Sequence, residues 1–347
     1  MRHHSSPNKT KADKQLRIVC DANKAVGYGH FFRCLHLRNA LGKNNALSIQ
    51  WCGTIDSSLI TLIGNDEYHP YADSKVAIKH LLSVEPCTSI IDSYLFSADD
   101  IHRLASLCNV IAIDDFAKHT HQSVKAVINF CVAANTMRYE CETQLLGPQY
   151  FLNDPRLDSV RQQKLSRQQK LSSQQKLNSE LNTQPTMTEK VLIAMGGFDR
   201  FALGEKLAKA LHEAHPNMQI TLLGQVNQGL TSRITQIART HDMATLYQKA
   251  DLVICGGGLI KYESAYCATP SIAVSQTLEQ HRESDAFAKK DLCLSYGLAQ
   301  DWHKESFIKW FNLLDMPVIH AQTKAASKVH FFSKSTERAA KALLDFI

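Results

Sequence analysis

Two stretches of the chain combine residue types at spacings that could do chemistry. The first reads Asp21-Ala-Asn23-Lys-Ala-Val-Gly27-Tyr-Gly29-His30-Phe-Phe-Arg33-Cys34. An apolar run precedes it and a helical pattern follows, so the loop belongs at the carboxyl end of a strand, where open α/β sheets place their ligands. Gly27 and Gly29 permit close backbone approach, and His30 would stand at a helix N-terminus facing that crevice. A histidine side chain in that position can take a proton from water at neutral pH. A lone histidine is more often structural than catalytic, and G-x-G alone is common in turns. The strand, acid, paired glycines, histidine and arginine together within thirteen residues are what point to a site.

The second stretch reads Asp251-Leu-Val-Ile-Cys-Gly256-Gly257-Gly258-Leu259-Ile260-Lys-Tyr-Glu263 and continues to Ala268-Thr-Pro270-Ser-Ile. This is again strand, glycine loop, helix and strand. Glycines at a helix N-terminus present N–H groups and the positive end of the helix dipole, which suits a diphosphate. Glu263, a turn and a half into the helix, could then reach ribose hydroxyls, although a tight turn with a solvated glutamate has the same pattern. Gly196-Gly197 would let backbone approach a ligand at another strand end. Asp92-Ser-Tyr94 and Asp114-Asp115 end strands of the first half. Paired aspartates can bind metal, but His119 and His121 are the only histidines near them, so no metal is expected. Serine-nucleophile and Walker signatures are absent.

Strands and helices must hold these loops. Arg17–Ala22, Ala46–Cys52, Thr88–Asp92, Val110–Asp114 and Ala126–Phe130 read as strands, and His30–Leu41 as a helix closed by Gly42. In the second half Lys190–Met195, Gln219–Leu223, Asp251–Cys255 and Ser271–Ser275 read as strands and Phe201–His212 as a helix. Such alternation predicts an α/β protein with parallel sheets covered on both faces, and 347 residues suit two domains. Between the halves, Arg161-Gln-Gln-Lys-Leu-Ser, Arg167-Gln-Gln-Lys-Leu-Ser and Ser173-Gln-Gln-Lys-Leu-Asn repeat every six residues. One leucine per repeat makes no continuous apolar face, so a surface loop or frayed helix is expected there.

Hydrophobic residues make up 44% of the chain, which is globular composition and excludes a wholly disordered or collagen-like chain. The net charge of +6 sits in two places: five basic residues face one acid in residues 1–17, and five face none in residues 161–176. The rest is slightly acidic, which argues against a folded nucleic-acid-binding face. The ten cysteines form no C-x-x-C and several lie in apolar runs, as buried thiols of a reducing compartment do. A signal-peptide core and a spanning apolar stretch are both lacking. A cytoplasmic chain without integral membrane segment or nucleic-acid partner, monomeric or weakly dimeric, is expected.

The ensemble resembles the UDP-sugar hydrolase of the pseudaminic acid pathway, which releases UDP from UDP-2,4-diacetamido-2,4,6-trideoxy-β-L-altropyranose. The resemblance spans most of the chain through Gly27-x-Gly29-His30-x-x-Arg33-Cys34, Asp92-Ser-Tyr94, Ile113-Asp-Asp115, Leu146-Gly-Pro148-x-Tyr150, Met195-Gly-Gly197-x-Asp199, Ala250-Asp251, Gly257-Gly258, Glu263 and Pro270-Ser-Ile. The second half also resembles the glycosyltransferase that adds N-acetylglucosamine to lipid I, through Asp242-Met243, Leu246-Tyr247 and Ala250-Asp251. The resemblance implies a GT-B fold of two Rossmann-like domains facing a cleft. It divides the chain into a basic tail (1–16), an N-terminal domain (17–150), a linker (151–188), a nucleotide-binding domain (189–325) and a C-terminal helix packing back on the first domain (326–347).

It further implies His30 as catalytic base and Tyr94 as a contact of the sugar or the attacking water. Gly257, Gly258 and nearby backbone would hold the diphosphate, Glu263 the ribose and residues near Met243 the uracil, with Glu279 and Gln280 near the sugar or diphosphate. Asp21, Asn23, Gly27, Gly29, Arg33, Gly196, Gly197 and Leu259 complete the substrate-binding set. Water would attack the anomeric carbon with inversion, without metal or cofactor, in nonulosonic acid synthesis for surface glycans or flagellin. Leu259 and Ile260 depart from the family's small hydroxyl residues, Glu279-Gln280 from its Asn-Gln pair, and Asn23 from its serine. The alternatives are a GT-B glycosyltransferase using a UDP-sugar donor and a non-catalytic nucleotide-sugar-binding protein.

Overall fold

A computed structural model describes residues 14–24, 26–43, 47–71, 73–118, 123–166, 190–225 and 233–347. Most of the basic tail, the second and third copies of the six-residue repeat, and His119 and His121 lie outside the described residues.

Two parallel sheets form the chain, and each is built from the buried apolar runs that the sequence displays. The first takes the order β3-β2-β1-β4-β5-β6-β7. Its members are β1 (Lys14–Cys20), β2 (Leu47–Gly53), β3 (Glu67–Pro70), β4 (Thr88–Asp92), β5 (Val110–Ile113), β6 (Ala126–Asn129) and β7 (Thr143–Leu146). The second takes the order β10-β9-β8-β11-β12-β13, from β8 (Lys190–Ala194), β9 (Gln219–Leu223), β10 (Ile234–Ile237), β11 (Leu252–Cys255), β12 (Ser271–Ser275) and β13 (Leu294–Leu298). Both are α/β sheets of the Rossmann type, and together they make the GT-B architecture.

The helices that matter for the site start at strand ends. They are α1 (Gly29–Gly42) after β1, α6 (Leu203–Ala214) after β8, α7 (Met243–Lys249), α8 (Leu259–Tyr266) after β11 and α9 (Leu278–Ala288) after β12, while α2 (Ser57–Ile60), α3 (Ser74–Ser83), α4 (Ala98–Ala105) and α10 (Lys304–Phe311) lie elsewhere. Asp242 caps α7 and Thr277 caps α9 through side-chain oxygens. Tyr28 and Gly258, at the N-caps of α1 and α8, supply no such oxygen, so the first amides of these two helices have no side-chain cap.

The segment read as the start of a linker is built into the fold instead. Phe151, Leu152, Leu157 and Val160 are buried, and residues 156–166 are helical (α5). The first repeat copy is thus helical, and its Arg161 is buried and not solvated. Its guanidinium donates to the carbonyls of Tyr266 (2.5 Å), Ser327 (3.1 Å) and Phe331 (2.7 Å), all at helix C-termini. The chain crosses back to the first domain after α11 (Met316–His330), a few residues beyond position 326. There α12 (Ser335–Leu343) packs on α1, Ser335 donates to the Phe151 carbonyl, and Thr88 and Asn109 donate to Phe346.

One apolar core runs from the first domain into the second. Phe130 and Phe151 meet Tyr262 with ring centroids 5.2 and 5.5 Å apart, and Phe151 also meets Tyr266 and Phe331.

Candidate active site

The strand orders locate the site. The first sheet reverses its winding between β1 and β4 and the second between β8 and β11. Crevices outside the carboxyl ends at such points accept ligands. His30 and Arg33 follow β1 and Asp92 ends β4; Gly196 and Gly197 follow β8; Gly256–Gly258 follow β11.

On α1, His30, Arg33 and Cys34 are one turn apart and therefore share a face. All three meet Asp92. His30 Nδ1 lies 2.6 Å from Asp92 Oδ1. Arg33 grips the same carboxylate with Nε and Nη2, each at 2.5 Å, and reaches both oxygens of Asp115 with Nη1 at 2.9 and 3.0 Å. The Cys34 thiol completes the set at 3.5 Å from Asp92 Oδ2. Tyr94 donates its hydroxyl to Asp115 Oδ2 at 2.8 Å, and its ring meets the His30 ring edge-on at 4.6 Å.

Burial alone would push the Asp92 carboxyl up, but the charges and hydrogen bonds of Arg33 and His30 hold it well below the usual carboxylate range. Burial likewise opposes the Arg33 charge, and Asp115 and Asp92 more than compensate, holding its pKa well above the ordinary value. Burial and then Asp115 push the Tyr94 phenol up, so it stays a donor. Arg33 Nη2 also lies 3.2 Å from His30 Nδ1, but the ionised Asp92 carboxylate 2.6 Å from that nitrogen can only accept. Nδ1 therefore carries the proton toward Asp92, and Nε2 is the basic nitrogen. About a tenth of the His30 side chain is exposed.

The facing half is built on glycine. Gly257 has φ +81°, and a Cβ there would meet Ser275 Oγ at 2.8 Å. Gly197 lies against Tyr28 of the first domain, whose amide nitrogen and ring would stand 3.1 Å from an added Cβ. A Cβ on Gly29 would be 3.8 Å from Leu259, so the two helix N-termini meet across the cleft. Glu263 on α8 accepts the Tyr247 hydroxyl at 2.7 Å, and burial pushes its carboxyl up to about 7. Gln276 ties the loops together, donating to the Met195 carbonyl and accepting from the Arg200 amide.

The structure thus brings His30, Arg33 and Tyr94 into one network and Gly196, Gly197, Gly257, Gly258, Leu259 and Glu263 around the facing loops. Met243 opens α7, half-buried. Gln280 stands 3.8 Å from a Cβ on Gly258, whereas Glu279 is exposed on the first turn of α9. Asp21 is not presented to a ligand. Both its oxygens brace the loops, one taking the Thr54 amide and hydroxyl and the other the Ser93 hydroxyl. Asn23 closes its own loop by accepting from Gly27 and donating to Thr54. Asp92 and Asp115 were visible in the sequence only as strand-terminal acids. Asp92 ends β4 beside the winding reversal, and Asp115 follows β5, the next strand; that placement is what makes them partners of His30 and Arg33. Among the described residues no group of three His, Cys, Asp or Glu is placed to hold a metal ion, and no helix is long and apolar enough to cross a membrane.

The comparisons agree with this architecture. No protein-family model matches the chain. An uncharacterized protein of Methanocaldococcus jannaschii is 24% identical over 298 residues, covering 80% of this chain and 58% of that one. The spore coat polysaccharide biosynthesis protein SpsG of Bacillus subtilis is 25% identical over 182 residues, covering 49% and 46%. The chain thus spans about half the length of the curated relatives it matches. Among solved structures, MurG of Acinetobacter baumannii superposes with a TM-score of 0.64 at 16% identity, covering 94% of this chain and 98% of that one. A UDP-GlcNAc 2-epimerase of Neisseria meningitidis bound to UDP-GlcNAc gives 0.56 at 11%, covering 96% and 100%. The fold is GT-B.

Proposed function

We propose that the chain hydrolyses a UDP-activated 2,4-diacetamido-2,4,6-trideoxyhexose to the free sugar and UDP. The observation that carries this reading is the His30–Asp92 pair at the cleft, with Nδ1 held at 2.6 Å and Nε2 left as the base. The fold neighbour bound to UDP-GlcNAc supports the nucleotide part, and the sequence resemblance supports the sugar.

In this mechanism His30 Nε2 takes a proton from water as the water oxygen bonds to the anomeric carbon. The bond from that carbon to the β-phosphate oxygen breaks on the opposite face, and its electron pair leaves with UDP. Asp92 stabilises the imidazolium as it forms. The amides of the Gly257–Leu259 turn receive the charge on the leaving diphosphate. Glu263 accepts the ribose hydroxyls, Met243 lies beside the uracil and Tyr94 beside the sugar.

The test is UDP release without acceptor and with EDTA present. Release is expected from the wild type and not from His30→Ala, whose UDP affinity should stay within about threefold because the base contacts no nucleotide atom. Full turnover in that variant would remove His30 from the mechanism. One observation favours a second reading. Tyr94, whose ring meets His30, and Phe116, which packs on Tyr94, remain 39% and 44% exposed, a surface that suits an acceptor with an apolar portion. Release of UDP only when such an acceptor is added would make the protein a transferase. Tight UDP binding without turnover under either condition would make it a binding protein.

A further inference from the structure

Neither the His30 network nor the Glu263 contact uses Lys261, the third residue of α8. It is 2% exposed, and lysines are rarely buried so completely unless the charge has a partner. Its Nζ donates to the Gly257 carbonyl at 2.6 Å and lies 5.0 and 5.3 Å from the ring centroids of Tyr262 and Phe287. An apolar side chain would pack against those rings without the desolvation cost, so the charge and the carbonyl contact are the features to explain.

The contact fixes the glycine loop. In a trans peptide the carbonyl and the following N–H point in opposite directions, and the described chain has no cis peptide. With the Gly257 carbonyl held from beneath by Lys261, the Gly258 N–H of the same peptide is turned outward. The turn itself is uncrowded: an added Cβ at Gly258 would meet only the Gln280 amide, at 3.8 Å. Leu259 and Ile260 follow without hydroxyls, so amides and a nearby positive charge are what this turn offers an anion.

We propose that Lys261 is a positioning residue for a nucleoside diphosphate, holding the glycine loop with its amide outward and placing a buried positive charge behind it. This rests on the nucleotide reading above and adds to it the residue that makes a hydroxyl-free loop competent for phosphate.

The test compares dissociation constants for UDP, UMP and uridine in the wild type, Lys261→Met and Lys261→Gln, alongside thermal midpoints. Lys261→Met should weaken UDP about tenfold or more, UMP less, and uridine by no more than about twofold, because the effect acts through the phosphates. Lys261→Gln can still donate to the carbonyl and should lie between. If Lys261→Met does not fold, the ranking by phosphate number in Lys261→Gln decides alone. Equal weakening of uridine and UDP would reduce Lys261 to a structural residue, and unchanged UDP affinity would also overturn the proposal. A wild type that binds none of the three overturns the nucleotide reading itself, a failure told apart because it precedes any variant.

Discussion

In the proposed mechanism Asp92 decides how His30 behaves, and a substitution that keeps its shape isolates that role. In Asp92→Asn the amide can present either an oxygen or an NH2 group to Nδ1, and Arg33 loses its buried carboxylate partner while keeping Asp115. The wrong histidine tautomer is the expected result, with turnover falling about 10²–10⁴-fold. UDP affinity measured by calorimetry should stay nearly constant; a turnover near wild type would show that Asp92 does not orient His30. Glu263 makes a different prediction. Burial raises its carboxyl to about 7 from an ordinary 4.5, with the Tyr247 hydrogen bond working in the other direction. A raised carboxyl favours the folded state at low pH, and that stabilisation is lost as pH climbs from about 4.5 through 7. By the usual conversion the loss is roughly 3 kcal/mol. Urea midpoints from pH 5 to pH 8 should therefore fall in the wild type relative to Glu263→Gln, and parallel curves would deny the shift. Both acids were present in the sequence, but only Glu263 was read as part of the site. Asp92 could be recognised as a partner of His30, 62 residues away in the chain, only once β4 was known to lie beside β1.

At the scale of elements, the inner strands were legible and the sheet edges were not. β5 and β11 are wholly buried, unbroken apolar runs, and β1, β4, β8 and β12 each carry a buried apolar stretch with polar residues mainly at their ends. The strands absent from the sequence reading are β3, β7, β10 and β13, and each is a sheet edge. Glu67-Tyr-His-Pro70 and Ile234-Thr-Gln-Ile237 carry polar or charged side chains because one side of an edge faces water, which erases the apolar signal. The glycine loops were legible for the opposite reason, since a positive φ in a tight space admits little else. Gly257 has both, and Gly64 serves as its control, with φ +67° and nothing within 4 Å of an added Cβ. Gly64→Ala should lose about 1 kcal/mol from backbone strain alone. Gly257→Ala adds the contacts with Ser275 and Ser284 at 2.8 and 3.1 Å, so it should lose more stability and also displace the diphosphate turn. Chemical denaturation and UDP titration of both variants check this. Equal stability losses with intact binding in both would mean that the loop yields without consequence.

For the whole molecule, the question is whether the two sheets are independent bodies or one cooperative unit. Interfaces between domains of one chain are usually modest and polar, which leaves the domains free to move. Here the apolar core is continuous, running from Phe31 and Trp51 through Phe130 and Phe151 to Tyr262, Tyr266 and Phe331. The guanidinium of Arg33, which organises the histidine network, lies 5.3 Å from the Phe130 ring in that same stack. Arg161 then fastens the crossover, with its charge spread over carbonyls from α8 and α11 and the Ser327 hydroxyl. Truncating it would remove the charged donor from the buried Tyr266 and Phe331 carbonyls, while the Ser327 carbonyl keeps the Phe331 N–H, at a cost of about 1–3 kcal/mol for each group left unsatisfied. Because the carbonyls belong to elements tied to both sheets, the loss should be felt by the molecule as a whole. Calorimetry of the wild type should show a single endotherm, and Arg161→Ala should shift that endotherm downward without splitting it. Two resolved transitions in the wild type would make the domains independent. A split confined to the variant would make Arg161, and not the aromatic stack, the element that couples them.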